Sequence, residues 1–152
     1  MPPVIIADTS CLILLDKIGE LSLLQKLYVS VFITQIIANE FGDVLPEWIV
    51  IKNPSANLRQ ELVDAALDKG ETSAIALALE NNSVLIMDEQ KGRKVAKGLG
   101  IRVTGTLGVV AQAKLQGHIP AALPIIQKMI KTDFRLRREL IENTLRQLNE
   151  GL

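Results

Sequence analysis

This chain of 152 residues has one cysteine, one histidine and five aromatic side chains, and each shortage closes off a class of function. A single thiol, Cys11, leaves no internal disulfide to form and fits a reducing cytoplasm. It sits in an apolar run, where a buried thiol behaves as a small hydrophobe rather than a nucleophile. The lone histidine, His118, lies in a turn-like stretch with Gly117 and Pro120, so neither histidine-based catalysis nor a zinc site is expected. With aromatics at 3%, recognition of a nucleic acid would rest on phosphates and shape more than on base stacking. Long apolar runs are missing as well. Asp16, Lys17 and Glu20 interrupt the best candidate for a membrane span. The opening MPPVIIAD has no basic region and is broken by Asp8, unlike a secretion signal. A cytoplasmic protein with no membrane association is therefore expected.

What is present reads as one packed domain over 1–152. Hydrophobic residues make up 48% and mean hydropathy is +0.26, while 22% charged residues argue against disorder. Short Val/Ile/Leu runs at 4–7, 29–33, 49–52, 84–87 and 101–104 predict strands buried on both faces. Helical patterns alternate with them at about 10–17, 20–27, 34–41, 57–68, 71–81, 89–99, 106–116, 119–130 and 133–148. That alternation is the mark of an α/β fold with a parallel sheet. Thr34, Asn57 and Thr106 are candidate helix N-caps, and Gly100 and Gly117 candidate stops. In the last helical stretch Phe134, Ile141, Leu145 and Leu148 form one stripe, with Arg137, Arg138 and Glu142 off it. This stripe predicts an αα pair with the preceding helix.

The net charge of zero conceals an asymmetry. Residues 1–88 hold 5 Lys and Arg against 12 Asp and Glu, and residues 89–152 hold the reverse, 12 against 5. An acidic part offering metal ligands and a basic part offering phosphate contacts would look like this; a bipolar surface without a role would too.

Four acids carry most of the functional information. Asp8 and Asp88 end the strand-like runs VIIAD and VLIMD, and in parallel sheets ligands bind at the carboxyl ends of the strands. Asp8 opens the triplet Asp8-Thr9-Ser10, in which Ser10 could orient a carboxylate or a water, although an Asp at a strand-to-helix turn is also a common helix cap. Glu40 falls about 9 Å beyond Thr34 on its helix, beside a core face, and could equally be solvated. Glu71 follows Gly70 at the start of the apolar helix ETSAIALALE, where the helix dipole alone would favour an acid. Asp88 precedes Glu89-Gln90-Lys91-Gly92-Arg93-Lys94 and could cap the helix there; Glu89 is a further carboxylate nearby. A cluster of such acids repels itself unless protonated or holding a cation, and Mg²⁺ or Mn²⁺ suits all-oxygen donors. Other phosphate chemistries do not fit. The chain has no glycine-rich phosphate loop and no G-x-G-x-x-G after the first strand. It also lacks the Asp-x-Asp of haloacid-dehalogenase phosphatases and the acid pattern of receiver domains.

Asp8-Thr9-Ser10, Glu40, Gly70-Glu71 and Asp88, in this order and spacing, resemble the PIN-domain ribonucleases. The stretches LDKGETSAIALALE (67–80) and LIMDEQKGRKVAKGLGIRVTGTLGVV (85–110) resemble the small prokaryotic branch related to VapC toxins, often catalogued only as a domain of unknown function. Two departures stand out: many relatives have Asp, further inside the helix, where this chain has Glu71, and Ile86-Met87-Asp88 replaces a common Thr-x-Asp. The resemblance implies a three-layer sandwich: a central parallel sheet of about five strands with helices on both faces. It further implies Mg²⁺- or Mn²⁺-dependent endoribonuclease activity, with Asp8, Glu40, Glu71 and Asp88 as metal ligands and Ser10 assisting. Lys91, Arg93, Lys94 and Lys97 would then grip the RNA backbone, or form a solvated face, with Arg93 alternatively pairing with a site carboxylate. The toxin half of a toxin–antitoxin pair, an antitoxin partner and a homodimer all follow from the same likeness. So does the alternative of a catalytically weak or inactive RNA-binding or protein-interaction module.

Overall fold

The computed structural model describes residues 4–55 and 57–151. Five strands, β1 (Ile5–Ala7), β2 (Val31–Ile33), β3 (Ile49–Ile51), β4 (Val84–Ile86) and β5 (Val103–Thr104), form one sheet in the order β3-β2-β1-β4-β5. Every neighbouring pair is parallel. The chain walks from β1 to β3 in one direction, then crosses back over β1 to add β4 and β5 on its other side. With right-handed crossovers, the helices of the two walks cover opposite faces of the sheet. This is the expected α/β sandwich.

Central strands are apolar on both sides because both faces are covered: Ile5, Ile6 and Ala7 of β1 are fully buried. The edge strand differs from the expectation. β3 buries Ile49 but exposes Val50 and Ile51, since a sheet margin is covered less completely than its centre.

The helices are α1 (Thr9–Lys17), α2 (Ser22–Leu27), α3 (Gln35–Phe41), α4 (Gln60–Asp64), α5 (Lys69–Asn81), α6 (Gln90–Gly98), α7 (Thr106–Leu115), α8 (Leu123–Ile130) and α9 (Arg138–Gln147). Helix α5, from Gly70 to Ala78 mostly Ala, Ile and Leu, lies against β1 and β4. Thr34 caps α3 as expected, its hydroxyl accepting from the Ile37 amide at 3.2 Å. Gly100 and Gly117 end α6 and α7 with positive φ, and each helix closes with the paired backbone bonds of a Schellman turn. The last two helices both pack on α7 rather than chiefly against each other, so the expected αα pair is not formed. Glu150, beyond α9, joins them by accepting from the Ala122 and Leu123 amides at 2.9 Å each.

Three expected helices are shorter. The stretch 57–68 holds only α4, preceded by Arg59 rather than Asn57, and it unwinds at Ala66, whose φ is +53°. Helix α8 begins at Leu123, not 119. Residues 133–137 are not helical, so Phe134 lies in a loop off the α9 stripe. A Thr132 hydroxyl that donates to Met129 O and accepts from the Phe134 amide turns the chain there.

Candidate active site

The sheet order reverses direction between β1 and β4, and such a switch point leaves a crevice at the carboxyl ends of the two strands. Asp8 and Asp88 lie just beyond those ends. The Asp8 amide continues the ladder by donating to Ile86 O at 3.0 Å, which holds the two strand ends in register.

Asp8 is the N-cap residue of α1 by position, but its carboxylate makes no capping bond. It is 5% exposed. Burial, then the neighbouring carboxylates of Asp68, Glu40 and Asp88, push it up to about 6, against an opposing pull from the Thr9 amide that is weaker than burial. Glu71, half-buried, is pushed up to about 7, first by desolvation and then by Asp68, Asp8 and Glu89. Among the described residues none of these acids forms a salt bridge with Lys or Arg.

Glu40 is surface-exposed yet fixed at both sides. Thr9 Oγ1 donates to Glu40 Oε1 at 2.6 Å, and the same carboxylate lies against the α-carbon of Gly70, where a β-carbon would collide with Glu40 Oε1. Gly70 is thus the notch that lets α3 bring its acid onto the start of α5. A buried chain of hydroxyls holds the two helices in this relation. Ser73 Oγ donates to Gly70 O at 2.8 Å, and Thr34 and Ser73 share a hydrogen bond of 2.7 Å. Because the Ser73 proton is committed to Gly70 and Thr34 accepts from Ile37, Thr34 is the donor to Ser73.

Asp88 faces the other way. Its Oδ1 accepts from the Thr106 amide at 2.9 Å and its Oδ2 from the Thr106 hydroxyl at 2.6 Å, which ties the end of β4 to the start of α7. Asp88 therefore does not cap α6. That role belongs to Glu89, which accepts from the Gly92 amide at 2.8 Å. Each Asp88 oxygen retains a second lone pair. Thr106 is fully buried, so Thr106→Val keeps the volume and removes one donor. A loss of about 1–2 kcal/mol is expected, seen as a lower melting temperature that Thr106→Ser, with its hydroxyl, recovers. Equal melting of Val and wild type would show the hydroxyl contributes nothing.

The remaining expected residues divide. Ser10 is exposed, and the hydroxyl of the triplet that touches an acid is that of Thr9. Among the described residues Arg93 pairs with no carboxylate; its Nη1 donates to Met87 O at 2.9 Å, beside Asp88 and Gly105. Lys91, Lys94 and Lys97 are exposed on α6.

One acid was absent from the expected set. Asp68 caps α5, accepting from the Glu71 amide at 2.8 Å, and is the foremost charged neighbour of both Asp8 and Glu71. The spacing Asp68-x-x-Glu71 at the head of an apolar helix is the available signal, since it matches a capping arrangement.

Hard oxygen donors of uncompensated charge fit Mg²⁺ or Mn²⁺. Among the described residues no three His, Cys, Asp or Glu side chains close on one point. The arrangement thus suits an ion that binds one or two carboxylates directly and keeps several waters, as Mg²⁺ does. Cys11 takes no part: it is fully buried, and burial pushes its thiol far up.

A protein-family model described as DUF3368: PIN domain matches residues 4–150. No curated protein matches the chain.

Proposed function

This chain belongs to the PIN-domain family, and from that premise we propose that it is a divalent-metal-dependent ribonuclease acting at the carboxylate rim around Asp8. PIN domains are generally nucleases, and those nucleases typically use divalent metals. The observation that carries the reading to this rim is Asp8 itself: an acid 5% exposed, beside Asp68, Glu40 and Asp88, with no cation paired to any of them among the described residues. Burying such a charge costs several kcal/mol unless something positive offsets it.

Asp8, with Asp88, Glu71 or Glu40, would hold the ion, which when bound supplies positive charge to a phosphodiester and makes an attacking water more acidic. The chain's own groups do the positioning. Thr9 and Gly70 fix Glu40, Asp68 fixes the head of α5 and so Glu71, and Thr106 fixes Asp88.

Purified protein incubated with a labelled structured RNA should cut it in Mg²⁺ or Mn²⁺. EDTA should abolish cleavage, and Asp8→Asn should lower it by about three orders of magnitude or more, as removal of a metal ligand or essential base commonly does. Metal-independent cleavage, or an Asp8→Asn protein as active as wild type, would remove the rim from the mechanism. A folded wild type that binds RNA without cutting it would favour the inactive binding module instead. The finer roles, toxin of a toxin–antitoxin pair and homodimer, rest on the family resemblance. They are tested by co-purification with the product of the adjacent gene and by light scattering.

A further inference from the structure

A cleft of about 460 Å³ opens from Asp88 toward the loop between α8 and α9. Its size is within the range of sites that enclose a small ligand. Its lining combines two kinds of group. Phe134, Leu136 and Leu140 supply apolar surface, and Arg93, Arg135 and Arg137 supply charge. Among the described residues Asp88, at one end, is the sole acid of the lining. None of the three arginines pairs with a carboxylate among those residues, whereas Arg138, next along the chain, is engaged by Glu142 at 2.8 Å.

We propose that this cleft seats the single-stranded RNA segment next to the bond that is cut, one base lying on Phe134 and Leu136 with its flanking phosphates on Arg93, Arg135 and Arg137. The inference rests on the ribonuclease reading of the rim and adds where the strand lies.

Charge complementarity selects RNA over a protein occupant. An acidic rim and a basic cleft that meet at Asp88 suit a polyanion whose reacting phosphate is met by a metal ion and whose neighbouring phosphates are met by arginines. The guanidinium of Arg93 spends one donor on Met87 O, which aims it, and retains others for a phosphate. An aromatic face with arginines around it is the combination that holds unpaired bases without sequence preference. Arg135 and Arg137 are exposed, so their charges face solvent. Lys91, Lys94 and Lys97 do not line the cleft. The basic excess of residues 89–152 thereby acquires a use, through the arginines of the α8–α9 loop more than through the lysines of α6.

The test is fluorescence anisotropy of a labelled single-stranded RNA of about ten nucleotides, a length that one such groove can cover, bound to wild-type protein in EDTA. An Arg135→Gln/Arg137→Gln double variant should bind about tenfold or more weakly, and its plot of log affinity against log salt should flatten by about 1.4, or about 0.7 for each phosphate that an arginine no longer neutralises. Phe134→Leu, which keeps the apolar surface but not the ring, should weaken binding about three- to tenfold with the salt slope unchanged. Affinity and slope equal to wild type in both would overturn the proposal, as would a change of oligomeric state in either variant, which would assign the cleft to a second copy of the chain. Cleavage by wild type is measured separately. If wild type cuts RNA while the variants bind as it does, the cleft fails and the nuclease stands. If wild type cuts nothing but the variants bind more weakly as described, the cleft stands and the nuclease fails.

Discussion

Freed of divalent ions, the protein is expected to melt at a lower temperature at about pH 8 than at about pH 5, and Mg²⁺ should restore much of the difference. Asp8 is raised to about 6 and Glu71 to about 7 in the folded chain, against ordinary values near 4 in the unfolded one. Folded protein therefore keeps protons that unfolded protein has released. The stability linked to these two acids is complete below about pH 4 and is lost as pH rises to about 7. For Asp8 alone the loss amounts to roughly 2–3 kcal/mol, or about 5–10 °C in a chain of this size. Other carboxylates act oppositely: Glu80, hydrogen-bonded to Ser55, is lowered and adds stability as pH rises through the acid range.

The decisive quantity is accordingly the difference between wild type and Asp8→Asn. The amide is neutral at every pH and nearly isosteric, so the variant should be the more stable of the two at about pH 8 without metal, by a margin that closes toward about pH 4. Its response to Mg²⁺ should also shrink. A variant that protects the fold while removing cleavage is the expected pattern where a buried charge is kept for function rather than for stability. Identical melting of the two proteins at every pH, without metal, would mean that burial of Asp8 carries no cost and that the rim has no need of a cation.

The second large effect belongs to a residue with no side chain. In Gly70→Ala the new methyl group would occupy the place now taken by the Glu40 carboxylate. The collision is with the far end of a flexible side chain, so Glu40 would swing away and the backbone would stay. Nothing in the fold resists an alanine here: Gly70 sits in the first turn of α5 without a positive φ, and alanine gains up to about 1 kcal/mol over glycine in a helix. Melting should be unchanged or slightly higher. Cleavage should fall about 10- to 100-fold, as when the partner that orients a metal ligand is removed. Retained activity would show that Glu40 need not stand where Thr9 and Gly70 hold it. A large drop in melting temperature would show that the backbone, and not the acid, gives way.

How much of this could be read from the amino acids depended on the range of the interaction. Asp8 and Asp88 were visible because a strand of four apolar residues ending in an acid is a local pattern, and the sheet put both where that pattern implies. Glu89 and Asp88 exchanged roles because the choice is not local: Asp88 caps a helix that begins 18 residues later, and nothing in the intervening letters announces the encounter. Asp68 was hidden by its neighbours. Val63 to Leu67 reads as a continuous helix, but the helix breaks at Ala66, whose φ is +53°, after which Asp68 is free to cap α5. The cleft arginines were hidden likewise, since the periodicity of 133–148 spreads a helix over residues that the Thr132 turn makes into a loop.

The strand order has a further consequence, for timing. β1 is made first but acquires its neighbour β4 only after some eighty residues have followed, so the earlier half of the chain can complete β3-β2-β1 while one edge of β1 lies open. Asp8 and Asp88 are strangers until that edge is filled. A rim that needs both Asp8 and Asp88 is incomplete until β4 has emerged and docked, so a nascent chain of this topology would stay disarmed until more than half of it has been synthesised.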